Sequence, residues 1–211
     1  MKKLILIFLC FLISTPFVKA DEGMWLPILI NKLKNVDLEK MGLQLSAEEL
    51  YSVNNASLKD AIVSFNGYCT GEIISSEGLL LTNHHCGYDA IQSHSSVQSD
   101  YLKNGFWAND KKSELINPDL FVDFLIRMEN VTSSVLEGSD TTLNQKKLIQ
   151  ENIKKLSAEA TKGTHYWSRI NSFFGGNEYY LFVYERYNDV RLVGAPPESI
   201  GKFGGDTDNW M

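Results

Sequence analysis

The chain has 211 residues, 44% of them hydrophobic and 11% aromatic, and a formal net charge of −6. That length suits one domain or two small ones, and that composition excludes a disordered chain. No basic residues cluster densely enough for nucleic acid or an anionic membrane surface.

The first twenty residues differ from the rest. Lys2 and Lys3 form a positive start, and residues 4–13 are an apolar run too short to span a bilayer comfortably. Pro16 breaks the run, and Val18, Lys19 and Ala20 follow the small-x-small pattern of a cleavage site. The sequence therefore predicts a signal peptide over residues 1–20 and a mature chain from Asp21, in the periplasm or outside the cell. Cys10 leaves with the signal. Cys69 and Cys86 remain, an even pair in an oxidising compartment, where a disulfide is the expected state. A closed loop of about 17 residues stabilises by roughly 3 kcal/mol on the chain-entropy model.

Met24, Trp25, Leu26 and Pro27 open the mature region as an apolar anchor. A helical turn is predicted over residues 37–41, ending at Gly42. Ser46 and Glu49 form a capping-box pattern, so a short helix runs toward Tyr51. Residues 57–60 start another turn, and residues 61–65 read as the first strand. Residues 71–74 and 79–82 flank Ser75, Ser76, Glu77 and Gly78, which is the pattern of a hairpin. Its second strand is predicted to end through Asn83, His84, His85, Cys86 and Gly87. Helical turns follow over residues 88–94 and a short helix over 100–107.

Residues 120–131 alternate. Leu120, Val122, Phe124, Ile126 and Met128 share one face, and Asp123, Arg127 and Glu129 share the solvent face. The clearest helix is 141–161, with a stripe of Leu143, Leu148, Ile149, Ile153 and Leu156. It reads as an insertion between strands. Residues 179–187 and 189–193 are β-prone, and residues 201–209 form a glycine-rich loop. Several short strands and few helices point to an all-β barrel or sandwich. The chain has no internal repeat, and its last residues carry no capping pattern or charged tail, so it reads as a fragment.

A disulfide from Cys69 to Cys86 would tie the first hairpin strand to the residue after His85. A general base needs such immobilisation, since an imidazole already titrates near neutral pH. A metal site of Cys69, His84, His85, Cys86 and His94 competes, but the spacing matches no zinc ribbon or finger. His94 and His165 read as ordinary surface or loop residues. The run Gly204, Gly205, Asp206, Thr207, Asp208 lacks a P-loop lysine and the length of an EF-hand. Neither metal nor cofactor is expected. Asn55 and Asn130 begin sequons that carry no weight in a bacterial protein.

The cysteine and histidine arrangement resembles the first barrel of chymotrypsin-like serine peptidases. More specifically, residues 67–87, 90–95, 104–108 and 204–211 together resemble the bacterial dipeptidyl-peptidase 7 and 11 family, across the whole mature chain. The resemblance implies a mainly β fold: a chymotrypsin-like antiparallel β-barrel, the first of two, with short helices and an inserted helix near 141–161. It implies a serine-type exopeptidase that releases dipeptides from peptides with a free N-terminus. His85 would be the base of a Ser-His-Asp triad, and His84 a supporting neighbour. Asn209 and Trp210 would receive the substrate's α-amino group. The triad aspartate and serine would lie beyond residue 211, leaving this chain inactive by itself, with its side-chain preference set near that serine. A homodimer of the full-length protein is compatible with it. The competing class is a secreted, non-enzymatic binding module on a half-peptidase fold.

Overall fold

The computed structural model describes residues 26–32, 38–139 and 144–201. The chain divides into two units, residues 1–45 and 46–211. In the first, Pro27–Lys32 is a 3-10 helix. Residues 38–42 form a turn in which the Gly42 N–H donates to the Glu39 carbonyl at 3.0 Å. This is the turn expected to end at Gly42. Asp37 and the segment 1–20 lie outside the described residues.

Among the described residues the second unit holds ten strands. They are β1 (Ile62–Phe65), β2 (Cys69–Ile73), β3 (Leu80–Thr82), β4 (Phe106–Trp107), β5 (Leu115–Asn117), β6 (Val122–Asn130), β7 (Trp167–Phe173), β8 (Glu178–Tyr187), β9 (Val190–Leu192) and β10 (Gly194–Ala195). Six of them form one antiparallel sheet in the order β3-β2-β1-β6-β8-β7. Two small ladders pair β4 with β10 and β5 with β9. The helices are α1 (Ala47–Leu50), α2 (His84–His94), α3 (Tyr101–Asn104), α4 (Thr132–Leu136), α5 (Gln145–Ala160) and α6 (Glu198–Gly201). The result is the expected mainly β fold with short helices, and α5 is the expected insertion, placed between β6 and β7.

Local chemistry explains where these elements start. The Glu49 N–H donates to the Ser46 hydroxyl at 3.2 Å, and the Ser46 N–H donates to the Glu49 carboxylate at 2.8 Å. That reciprocal pair satisfies two orphan donors at the start of α1. The hairpin β2–β3 pairs Gly71 with Thr82, Glu72 with Leu81 and Ile73 with Leu80. A side chain at Gly71 would put its Cβ 2.9 Å from Leu80 Cδ2 and 3.0 Å from the Leu81 carbonyl. Glycine is what lets β3 approach so closely.

The core under this hairpin is Val63, Phe65, Cys86 and Val122, with Ile73, Leu80, Leu120 and Phe124 packed against it. β1 alternates as a half-buried strand should, with Val63 and Phe65 inward and Ile62 outward.

β6 departs from the simple alternation. Its register with β8 shifts between Leu125 and Arg127, a bulge at Ile126. Beyond Phe124 it also runs past the ladder it shares with β1. Two side chains serve the backbone there. The Met128 N–H donates to the Tyr51 hydroxyl at 2.9 Å, and the Lys59 ammonium donates to the Leu125 carbonyl at 3.3 Å.

Asp123 corrects the sequence reading, which put it on the solvent face. It is 2% exposed. Arg186 Nε and Nη2 donate to its two oxygens at 2.8 Å, and Trp167 Nε1 donates at 2.9 Å. Three charge-assisted bonds compensate the burial of the carboxylate. Arg186 in turn lies over the Phe121 ring at 3.5 Å and the Trp167 ring at 4.9 Å. Trp167 belongs to β7, a strand the sequence pattern did not disclose.

Candidate active site

His85 was expected at a strand end. It is instead the second residue of α2, an eleven-residue helix that starts at His84, four residues before the predicted start. The Cys86 and Gly87 N–H groups both donate to the Asn83 carbonyl, at 3.0 and 3.4 Å. Long-range contacts hold this first turn. Cys86 is 3% exposed and part of the core. It is joined to Cys69, the first residue of β2, with a Cα–Cα distance of 6.1 Å. The Tyr68 hydroxyl donates to the Cys86 carbonyl at 3.1 Å. Tyr68 and Cys69 thus clamp the residue after His85 by a hydrogen bond and a covalent bond.

His85 itself is exposed. One of its ring nitrogens and the sulfurs of Cys69 and Cys86 all lie within 4.8 Å of one another. His85 is thus an exposed residue on a helix turn whose neighbour, Cys86, is anchored in the core. This suits proton transfer with a bound molecule, which requires an accessible nitrogen of fixed position.

The neighbouring His84 points elsewhere. Both its ring nitrogens are shielded from solvent. Its ring meets Tyr88 edge-on at 6.0 Å between centroids. It also packs on Gly201, where an added Cβ would stand 2.3 Å from His84 Cδ2. The adjacent histidines thus divide, one packed against α6 and one exposed.

The other histidines are occupied away from this turn. His94 ends α2 and its Nε2 lies 3.0 Å from Asn117 Oδ1. His165 Nε2 lies 2.7 Å from Glu185. Among the described residues His84 and His94 do not join the Cys69, His85 and Cys86 cluster. Asn209 and Trp210, the expected amine-binding pair, lie outside the described residues. A cavity of about 330 Å³ opens beside Lys59, Asp60, Phe124 and Tyr187, and neither His85 nor the cysteines line it. Tyr68 was missed as a site residue. Its only signal was adjacency to Cys69.

Residues 20–211 match the family model described as Peptidase S46. The chain belongs to the peptidase S46 family. It is 49% identical over 215 residues to dipeptidyl-peptidase 7 of Capnocytophaga gingivalis, covering 100% of this chain and 30% of that protein. It is 50% identical over 215 residues to an Asp/Glu-specific dipeptidyl-peptidase of Flavobacterium psychrophilum, with the same coverage. Among solved structures, Porphyromonas endodontalis DPP11 superimposes with a TM-score of 0.80 at 47% identity, over 90% of this chain and 28% of that one. The same enzyme in complex with the dipeptide Arg-Glu gives a TM-score of 0.77 at 45% identity, over 90% and 29%. This S46 chain thus spans about 30% of the length of the curated relatives it matches. The likeness includes both names among its relatives, so it does not separate their substrate preferences.

Proposed function

We propose that this chain is the part of a secreted serine-type dipeptidyl-peptidase that carries the general base, and that His85 is that base. The carrying observation is the family match over residues 20–211 together with the exposed His85 beside the core-anchored Cys86. In this reading His85 accepts the proton of a serine hydroxyl as it attacks the scissile carbonyl, then returns it to the leaving amine. Immobilising Cys86 fixes the direction from which the imidazole approaches the serine hydroxyl. Asn209 and Trp210 hold the substrate's free α-amino group, and the indole excludes a longer chain. The substrates are peptides with a free N-terminus, met in the periplasm or outside the cell after cleavage at Ala20.

The test is made on the polypeptide as its gene encodes it. His85→Ala should lower kcat on fluorogenic dipeptidyl substrates by about four orders of magnitude or more, with the fold retained. Near-wild-type turnover would remove His85 from the mechanism. Asn209→Ala should raise KM for free peptides. N-acetylated peptides should be poor substrates of the unmodified enzyme, and equal turnover of both forms would contradict the amine-anchor role.

A further inference from the structure

The cavity of about 330 Å³ lies wholly within the unit of residues 46–211, and its size falls in the range of small-molecule sites. It opens where β6 leaves its ladder with β1. That ladder ends at Phe124, the bulge at Ile126 follows, and Leu125 and Ile126 both line the cavity. Glu185 and Tyr187, two residues apart on β8 and so on one face of the sheet, line it as well. The Tyr187 ring meets the Phe124 ring edge-on at 5.4 Å between centroids, which gives the cavity an aromatic corner.

One charge in this lining is not balanced by another. Lys59 and Asp60 form an ion pair, and the Lys59 ammonium also donates to the Leu125 carbonyl at 3.3 Å, so these two charges cancel. The Glu185 side chain is 26% exposed, and its Oε1 lies 2.7 Å from Nε2 of His165, which compensates the charge only when protonated. A carboxylate accepts at about four lone-pair sites, so one imidazole leaves it capacity for a further donor. The Glu185 charge reaches the cavity wall, where it pushes the Tyr187 hydroxyl pKa above its ordinary value. An anionic ligand would meet both Glu185 and Asp60. A partly shielded carboxylate beside an aromatic face suits a cation instead, through a charge-assisted bond and a cation–π contact. We propose that this cavity binds a small organic cation, an ammonium or guanidinium group on a short apolar stem, with the charge on Glu185 and the stem against Phe124 and Tyr187. The proposal concerns binding and stands apart from the peptidase reading, since neither His85 nor the cysteines line the cavity.

The test is calorimetric titration of the polypeptide as its gene encodes it, at neutral pH. n-Butylguanidinium is the first probe and should bind saturably, with a dissociation constant of about 1 mM or tighter. Its neutral isostere, n-butylurea, should bind at least about tenfold more weakly. N-acetylarginine amide tells the source: binding assigns the cavity to a basic side chain borne on a peptide, and binding of n-butylguanidinium alone assigns it to a free base. Glu185→Gln removes the charge and keeps the shape, and should weaken n-butylguanidinium at least about tenfold. Tyr187→Leu should weaken it about two- to fivefold. Asn209→Ala should leave it unchanged, which separates the cavity from the proposed α-amino anchor. Near-ultraviolet circular dichroism checks that each variant is folded. The proposal is overturned if the wild type shows no saturable binding of n-butylguanidinium, if n-butylurea binds equally, or if Glu185→Gln binds as well as wild type. Loss of binding in Asn209→Ala also overturns it, because the cation would then occupy the peptidase site.

Discussion

Arg186 grips the buried carboxylate of Asp123 with both Nε and Nη2 at 2.8 Å, linking β8 to the middle of the sheet. The Arg186 side chain is 36% exposed and that of Asp123 is 2% exposed. The anion therefore depends on its partners, while the cation retains some water. The guanidinium pKa is held above its ordinary value by the hydrogen bonds to Asp123. Asp123→Asn should remove the charge and leave Arg186 and Trp167 with a poorer acceptor. We expect a loss of about 3 kcal/mol, because the bonds to the carboxylate weaken while the half-exposed Arg186 keeps part of its water. Trp167→Phe removes a single bond to the carboxylate and should cost less, about 1.5–3 kcal/mol. Urea denaturation of the two variants tests the order. Equal losses would mean that packing of the Trp167 ring, and not the charge, dominates.

Tyr51 offers a second test, this time with a pH signature. Its hydroxyl accepts from the Met128 N–H at 2.9 Å, just past the bulge in β6. Tyr51→Phe should orphan that buried donor and cost about 1–3 kcal/mol at pH 7. Burial raises the Tyr51 pKa in the folded chain above its ordinary value near 10. A raised folded pKa means stability that is complete below the unfolded pKa and lost as pH rises toward the folded one. The wild type should therefore weaken above about pH 10 in a way that Tyr51→Phe does not, narrowing the gap between them. Parallel denaturation curves from pH 7 to pH 11 check it. A gap that widens with pH would contradict the assignment.

The hairpin at residues 71–82 was legible because its signals are local: Ile73 and Leu80 face each other across a turn containing Gly78. The capping box at Ser46 was legible for the same reason. Asp123 was not, because the groups that bury it, Trp167 and Arg186, lie 44 and 63 residues away. β7 escaped because its sequence, WSRINSF, mixes polar residues into both faces, and it becomes a strand by pairing with β8. In the candidate site, the Cys69–Cys86 bond beside His85 was legible from the pairing of the two cysteines. The helix carrying His85 was not, since Gly87 weakens the local signal and the clamp by Tyr68 and Cys69 acts across 18 and 17 residues.

Gly201 and His84 can be tested as a pair. A Cβ at residue 201 would stand 2.3 Å from His84 Cδ2 and 2.5 Å from Cγ. The ring must then move, and Tyr88 meets it edge-on. Gly201→Ala should cost about 1–3 kcal/mol as an overpacked contact. Adding His84→Ala vacates the space, so the double variant should be less destabilised than the sum of the two single ones. A double-mutant cycle by chemical denaturation measures that coupling. Strict additivity would show that the ring yields without cost.

The disulfide makes two claims that separate experimentally. Its 17-residue separation gives about 3 kcal/mol of stabilisation through the unfolded chain. Its position also holds the first turn of α2 against the core. The variant with both Cys69→Ala and Cys86→Ala should lose the first contribution globally, seen as a lower urea midpoint with little change in slope. It should lose the second locally. Amide hydrogens of Cys86 (now alanine) and Gly87, which bond to Asn83, should exchange faster relative to the β6–β8 ladder than the global loss accounts for. Tyr68→Phe removes only the 3.1 Å bond to the Cys86 carbonyl and leaves the covalent tie. It should speed the same exchange slightly while moving the global midpoint by no more than about 1 kcal/mol. If the double alanine variant accelerates exchange uniformly across sheet and helix, the bond acts through chain entropy alone and does not position the turn that carries His85.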